Sequence, residues 1–222
     1  MRIPALLDAL AVLAPTECSG CGAHDRALCD SCRGALTPVP RQIQLGDEAS
    51  LRVCAALDYG DVARRVLLAY KDGGRTDAAS ALAPALRAAV VAALATRPSP
   101  SPPGRPVRLA TIPSTRLAYR RRGYHPVELV LARARLRAAH PLRIVRQTED
   151  QAGLGLSARA ENRRGSLRSN AHAAGSDWLL IDDILTTGAT LLEAERAIRA
   201  CGGRVLGAAV IAHTPLRRAR RL

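Results

Sequence analysis

The apolar residues of the chain fall in short blocks closed by polar or small ones, and the sharpest block is Trp178-Leu179-Leu180-Ile181. Four apolar residues in succession suit a strand buried on both faces. Asp182 and Asp183 follow, then Thr186, Thr187, Gly188, Ala189 and Thr190, and then a helical run from Leu191 to Ala200. The order is strand, loop, helix, with the acids at the carboxyl end of the strand. The same reading gives strands over Leu51–Tyr59, Val107–Ile112, Leu142–Val145 and Val205–Ile211. Helices are expected from Asp61 to Tyr70, over 77–96 and from Val127 to Ala138. Residues 3–15 read as a short amphipathic helix, and Pro38 to about Ser50 as a linker. The stretch 97–106 (RPSPSPPGRP) has no means of packing and reads as a mobile surface insertion.

The central stretch carries chemistry. A helix N-terminus offers N–H donors and the positive end of the helix dipole, which together favour a phosphate. Gly188 lets a ligand approach the backbone, and the threonine hydroxyls add hydrogen bonds. Asp182 and Asp183 would repel that phosphate; they suit sugar hydroxyls or a nearby Mg²⁺. The ligand so described has a phosphate at one end, a ribose in the middle and a metal alongside. The plain alternative is a buried strand followed by an acid-capped helix. Two adjacent acids before a Thr/Gly loop serve no purpose there.

Composition narrows the field. At 222 residues and 48% hydrophobic, the chain can bury a core in one domain with a small appendage. Phe is absent, so that core is Ala, Leu, Val and Ile. The net charge of +14 attracts polyanions, nucleic acid among them. Lys71 is the only lysine, and a GC-rich coding bias gives the same arginine skew. Residues 3–15 make a poor signal peptide, because Asp8 interrupts the apolar run. No segment is expected to reach transmembrane length, and the protein reads as cytoplasmic.

Cys18-x2-Cys21 and Cys29-x2-Cys32 are two chelating pairs, and four thiolates suit a tetrahedral, structural Zn²⁺. Two disulfides are the alternative, which a cytoplasmic chain disfavours. Further on, Lys71 stands in a Gly-rich turn (Tyr70-Lys71-Asp72-Gly73-Gly74-Arg75), a setting for an anion. Arg116, Arg120, Arg121 and Arg122 follow Pro113-Ser114-Thr115 in what reads as a strand-end loop; a solvated basic helix face is the alternative reading of that run.

Residues 178–190 resemble the 5-phosphoribosyl-1-pyrophosphate (PRPP) motif of type I phosphoribosyltransferases. With the four-cysteine knuckle, Tyr70-Lys71-x-Gly73, the run into Arg122-Gly123-Tyr124, and Thr148/Gln151/Leu154/Arg159/Asn162, the order resembles that of the ComF family of amidophosphoribosyltransferase-like proteins. The resemblance spans residues 18–214. It implies an α/β fold: a Rossmann-like parallel sheet with flanking helices over 50–222, preceded over 1–40 by a zinc module like a double zinc ribbon. It implies ribose contacts at Asp182 and Asp183, and 5-phosphate contacts at Thr186, Thr187, Gly188, Ala189 and Thr190. Lys71, Arg120 and Arg122 are the implied pyrophosphate ligands, with Mg²⁺ bound alongside PRPP and Zn²⁺ held by Cys18, Cys21, Cys29 and Cys32. For some members it implies a part in DNA uptake during natural competence, with single-stranded DNA and helicase-type competence proteins as partners. One departure stands out: His125-Pro126 occupies the place of the family's Asn-Gln, and Pro126 has no N–H to give. No general base is evident; His125 and His213 are the candidates.

Overall fold

The computed structural model describes residues 17–24, 26–46, 51–97, 101–146 and 164–214. The helix expected at 3–15, the Thr148–Asn162 pattern and the basic tail after Thr214 lie outside them. After a short helix α1 (Asp30–Gly34) come β1 (Arg41–Leu45), β2 (Leu51–Asp58), α2 (Asp61–Lys71) and α3 (Ala79–Ala95), the last entered through one 3₁₀ turn. Then follow β3 (Val107–Thr111), α4 (Arg116–Arg122), α5 (Pro126–Arg133), β4 (Ala138–Ala139), β5 (Leu142–Ile144) and β6 (Leu167–Ser169). The described residues end with β7 (Asp177–Leu185), α6 (Ala189–Arg199) and β8 (Arg204–His213).

The fold is mixed α/β. Six strands form one sheet in the order β1-β2-β8-β7-β3-β4. Within that sheet only β1 runs antiparallel to its neighbour, and the other pairings are parallel; β5 and β6 form a separate antiparallel pair. From β3 the chain passes through α4 and α5 to the edge at β4. From β7 it passes through α6 to β8 on the other side. The direction of winding therefore reverses between β3 and β7, and in open parallel sheets ligands bind outside the carboxyl ends of such a pair.

Each face of the sheet buries a core. One holds Leu82, Leu86, Ala89 and Val90 of α3 with Val130 and Leu131 of α5 and the inner residues of β8. The other holds Leu191, Ala194 and Ile198 of α6 with Trp178, Leu180 and Val210. Much of the buried face of α3 is alanine: Ala79, Ala83, Ala85, Ala89 and Ala93. Thr76–Ala95 is 20 residues long and apolar enough to cross a membrane, contrary to the expectation that no segment is. Half of it is buried inside the fold, where it packs as a core helix.

Four other expectations need correction. The linker after Pro38 contains β1, whose alternating Gln42-Ile43-Gln44-Leu45 lies along β2 at the sheet edge. The helix from 127 stops at Arg133, because Ala134 leads into Arg135 at φ 58. The arginine run is the helix α4, capped by the Thr115 hydroxyl and ended by Gly123 in the left-handed region. The proline-rich stretch is anchored at its end, where Arg105 Nε lies 2.6 Å from the fully buried Asp177.

The cysteine module packs on the same core. Leu28, Cys32 and Leu36 share a buried cluster with Val66 and Leu67 of α2. Two arginines fasten it: Arg65 donates to the Gly20 carbonyl, and Arg75 donates to the carbonyls of Glu17 and Ala27.

Candidate functional site

β7 outruns its neighbour. Its ladder to β3 ends at Thr111 opposite Ile181, while its ladder to β8 continues to Leu185 opposite His213. Asp182 and Asp183 therefore lie within the strand, where β3 has already turned away, and not beyond its end. Each carboxylate accepts from the backbone N–H of the residue after it, at 2.8 Å. Asp183 is buried. Burial, and then the charge of Asp183 beside it, push the Asp182 carboxyl up to about 7. Two acids so placed favour a compensating cation or hydroxyl donors.

Lys71 supplies part of that compensation. It closes α2, and its Nζ lies 2.6 Å from Asp183 Oδ2. Burial disfavours its charge, but Asp183 outweighs that and raises the Lys71 pKa. The position of Lys71 is fixed by its neighbours. Tyr70, 1% exposed, donates its hydroxyl to the Pro126 carbonyl at 2.7 Å, and the Tyr124 hydroxyl donates to the Tyr70 carbonyl. Pro126, which has lost an N–H, thus contributes its carbonyl instead. Asp72 accepts from Arg121 at 2.5 Å and Arg122 at 3.2 Å, tying α4 to the end of α2.

The loop after β7 leads into α6 at Gly188, which adopts φ +78. That conformation favours glycine, and a Cβ there would push the Leu45 side chain aside. Gly188 and Ala189 are buried, Thr187 and Thr190 half-buried, and Thr186 exposed. The Thr187 hydroxyl accepts from Ala189 N–H at 3.4 Å.

Lys71, Asp182, Asp183 and Arg122 are thus brought together, while Arg120 is exposed on α4. Neither histidine joins them. His125 precedes α5 and stacks on Tyr119 with ring centroids 4.6 Å apart. His213 ends β8, 3.4 Å from Asp58, which also pairs with Arg41 at 3.5 Å. A cavity of about 430 Å³ lies beside that pair, between residues 35–41 and the start of α2, and not at the acids. Asp72 was given no role in the sequence reading. Asp72 stood in the quoted turn, and its charge was the available signal.

Near the N-terminus the four sulfurs of Cys18, Cys21, Cys29 and Cys32 lie within 4.8 Å of one another. A Zn–S bond of about 2.3 Å places tetrahedral sulfurs roughly 3.8 Å apart, so the set fits zinc. Gly20 is needed for that approach, since a Cβ there would come within 2.5 Å of Cys32 Sγ. Burial opposes a charge on Cys18, yet backbone N–H donors from Cys29, Cys21 and Gly20 draw its thiol down to about 6.

Residues 117–221 match the family model of the phosphoribosyl transferase domain. The match covers just under half of the chain, beginning in α4 and including the β7–α6 loop. No curated protein matches the chain. The acid pair of β7 stands beside the reversal of winding between β3 and β7, at the carboxyl ends where open parallel sheets receive ligands.

Proposed function

We propose that the protein binds PRPP with Mg²⁺ and transfers its phosphoribosyl group to an acceptor, as a ComF-like phosphoribosyltransferase. The observation that carries this reading is the pairing of Lys71 with Asp183, 2.6 Å apart, where β7 outruns β3 ahead of a Thr/Gly loop. Asp182 and Asp183 take the ribose hydroxyls. They lie on the side where positive charge grows as the anomeric carbon loses pyrophosphate, and so favour the transition state over the ground state. The start of α6, from Thr186 to Thr190, takes the 5-phosphate. Lys71 with Arg122 and Arg120 takes the pyrophosphate. Mg²⁺, when bound beside the two acids, neutralises the leaving pyrophosphate. Zn²⁺ on the four cysteines has a structural part, because no open position remains for chemistry.

A second reading is a non-catalytic PRPP- or nucleotide-binding protein that acts with single-stranded DNA and helicase-type competence proteins in DNA uptake. The placement of His125 on Tyr119 and of His213 on Asp58 favours it, since neither is offered as a base beside the acids. Pyrophosphate release from PRPP in the presence of Mg²⁺ and a panel of nucleobases, amines and glutamine separates the two. Release with any acceptor supports transfer; PRPP binding without release across the panel supports the second reading.

A further inference from the structure

Three cations meet at the ends of α2 and α4, and the protein's own acids hold all three. Lys71 rests on Asp183. Arg121 and Arg122 both donate through Nη2 to a single oxygen, Asp72 Oδ1. Arg122 is the most enclosed of the group, with its side chain 14% exposed. Its Nε is buried and has no hydrogen-bond partner among the described residues. A buried guanidinium N–H without an acceptor is costly unless something else supplies one. Asp72, in contrast, has a side chain 42% exposed and can swing into solvent when displaced.

We propose that Asp72 is an internal competitor for the anion: its carboxylate holds the arginines that the pyrophosphate of the ligand would take, and so sets the affinity of the site. The inference rests on the function proposed above and adds a residue that weakens binding. A pyrophosphate offers more oxygens and more charge than one carboxylate, and arginine forks bind it in bidentate fashion. To bind, it must first break the two Asp72 contacts and then lie beside the displaced negative charge. Removing that charge removes both costs. A carboxylate that merely braced α2 against α4 would act in the opposite sense, because its loss would loosen the arginines and weaken the anion.

Calorimetric titration of the full chain with inorganic pyrophosphate and MgCl2 decides between them, using wild type, Asp72→Asn, Asp72→Ser, Asp72→Glu and Arg122→Met. Both neutral variants are expected to bind pyrophosphate about threefold tighter or more, the scale at which exposed ion pairs count. Asp72→Glu should match wild type, and Arg122→Met should bind more weakly. Ribose 5-phosphate, which does not reach the arginines, should bind all five proteins alike; a general structural change would move it too. If the neutral variants bind pyrophosphate no tighter than wild type while Arg122→Met still weakens it, Asp72 is only a brace and the inference is wrong. If none of the five binds pyrophosphate, the proposed function falls, and this inference with it.

Discussion

Asp177 is a residue held by charge. It is fully buried at the start of β7 between Arg204 and Arg105. Hydrogen bonding from Arg204, against the opposing effect of burial, holds its carboxyl down at about 2. A depressed carboxylate stabilises the fold in full above its ordinary value of 3.8 and loses that contribution as the pH falls towards 2. Asp177→Asn should therefore cost about 3 kcal/mol at pH 7, as breaking a buried pair does. Its deficit in thermal stability against wild type should shrink as melts are run at pH values below 3.8. A deficit that stays constant down to pH 2 would mean the asparagine fails for reasons of packing.

At the scale of elements, the strand of apolar residues before Asp182 and the helix after Gly188 were legible because each follows a clean pattern. Apolar runs mark buried strands, and a Thr/Gly loop marks a strand-to-helix turn. The strand β1 was not legible, because Pro38 and Pro40 precede it and it is only five residues long. Nor was the clamp at Asp72 legible, because it joins residues about fifty positions apart in sequence, and no local pattern records such a contact. Overlap of β7 past β3 is likewise a property of register, which one strand's sequence does not contain. The cysteine knuckle was legible from spacing alone. Cys29→Ser should lower zinc from one ion per chain and unfold the module, since metal binding and folding are coupled there. Substituting Cys54 or Cys201 should leave metal content unchanged. Elemental analysis of protein purified under reducing conditions measures this, and zinc-free wild type would contradict it.

For the whole molecule, the +14 charge and the placement of the site are separate matters. If the charge is functional, it acts on nucleic acid through counterion release. Binding to single-stranded DNA should then weaken steeply and linearly in log affinity against log salt, without sequence preference. Deleting residues 216–222, which carry four arginines, should flatten that slope. Salt-insensitive binding, or none at low salt, would leave the charge as a consequence of composition. The phosphoribosyl reading depends instead on the two acids of β7, and one titration tests them most directly. PRPP should bind the wild-type protein in a Mg²⁺-dependent manner. In the double variant Asp182→Asn, Asp183→Asn that dependence should vanish, and PRPP should lose more affinity than ribose 5-phosphate, which still reaches the start of α6. Calorimetry showing that the double variant binds PRPP as tightly as wild type, with an unchanged Mg²⁺ requirement, would contradict the account.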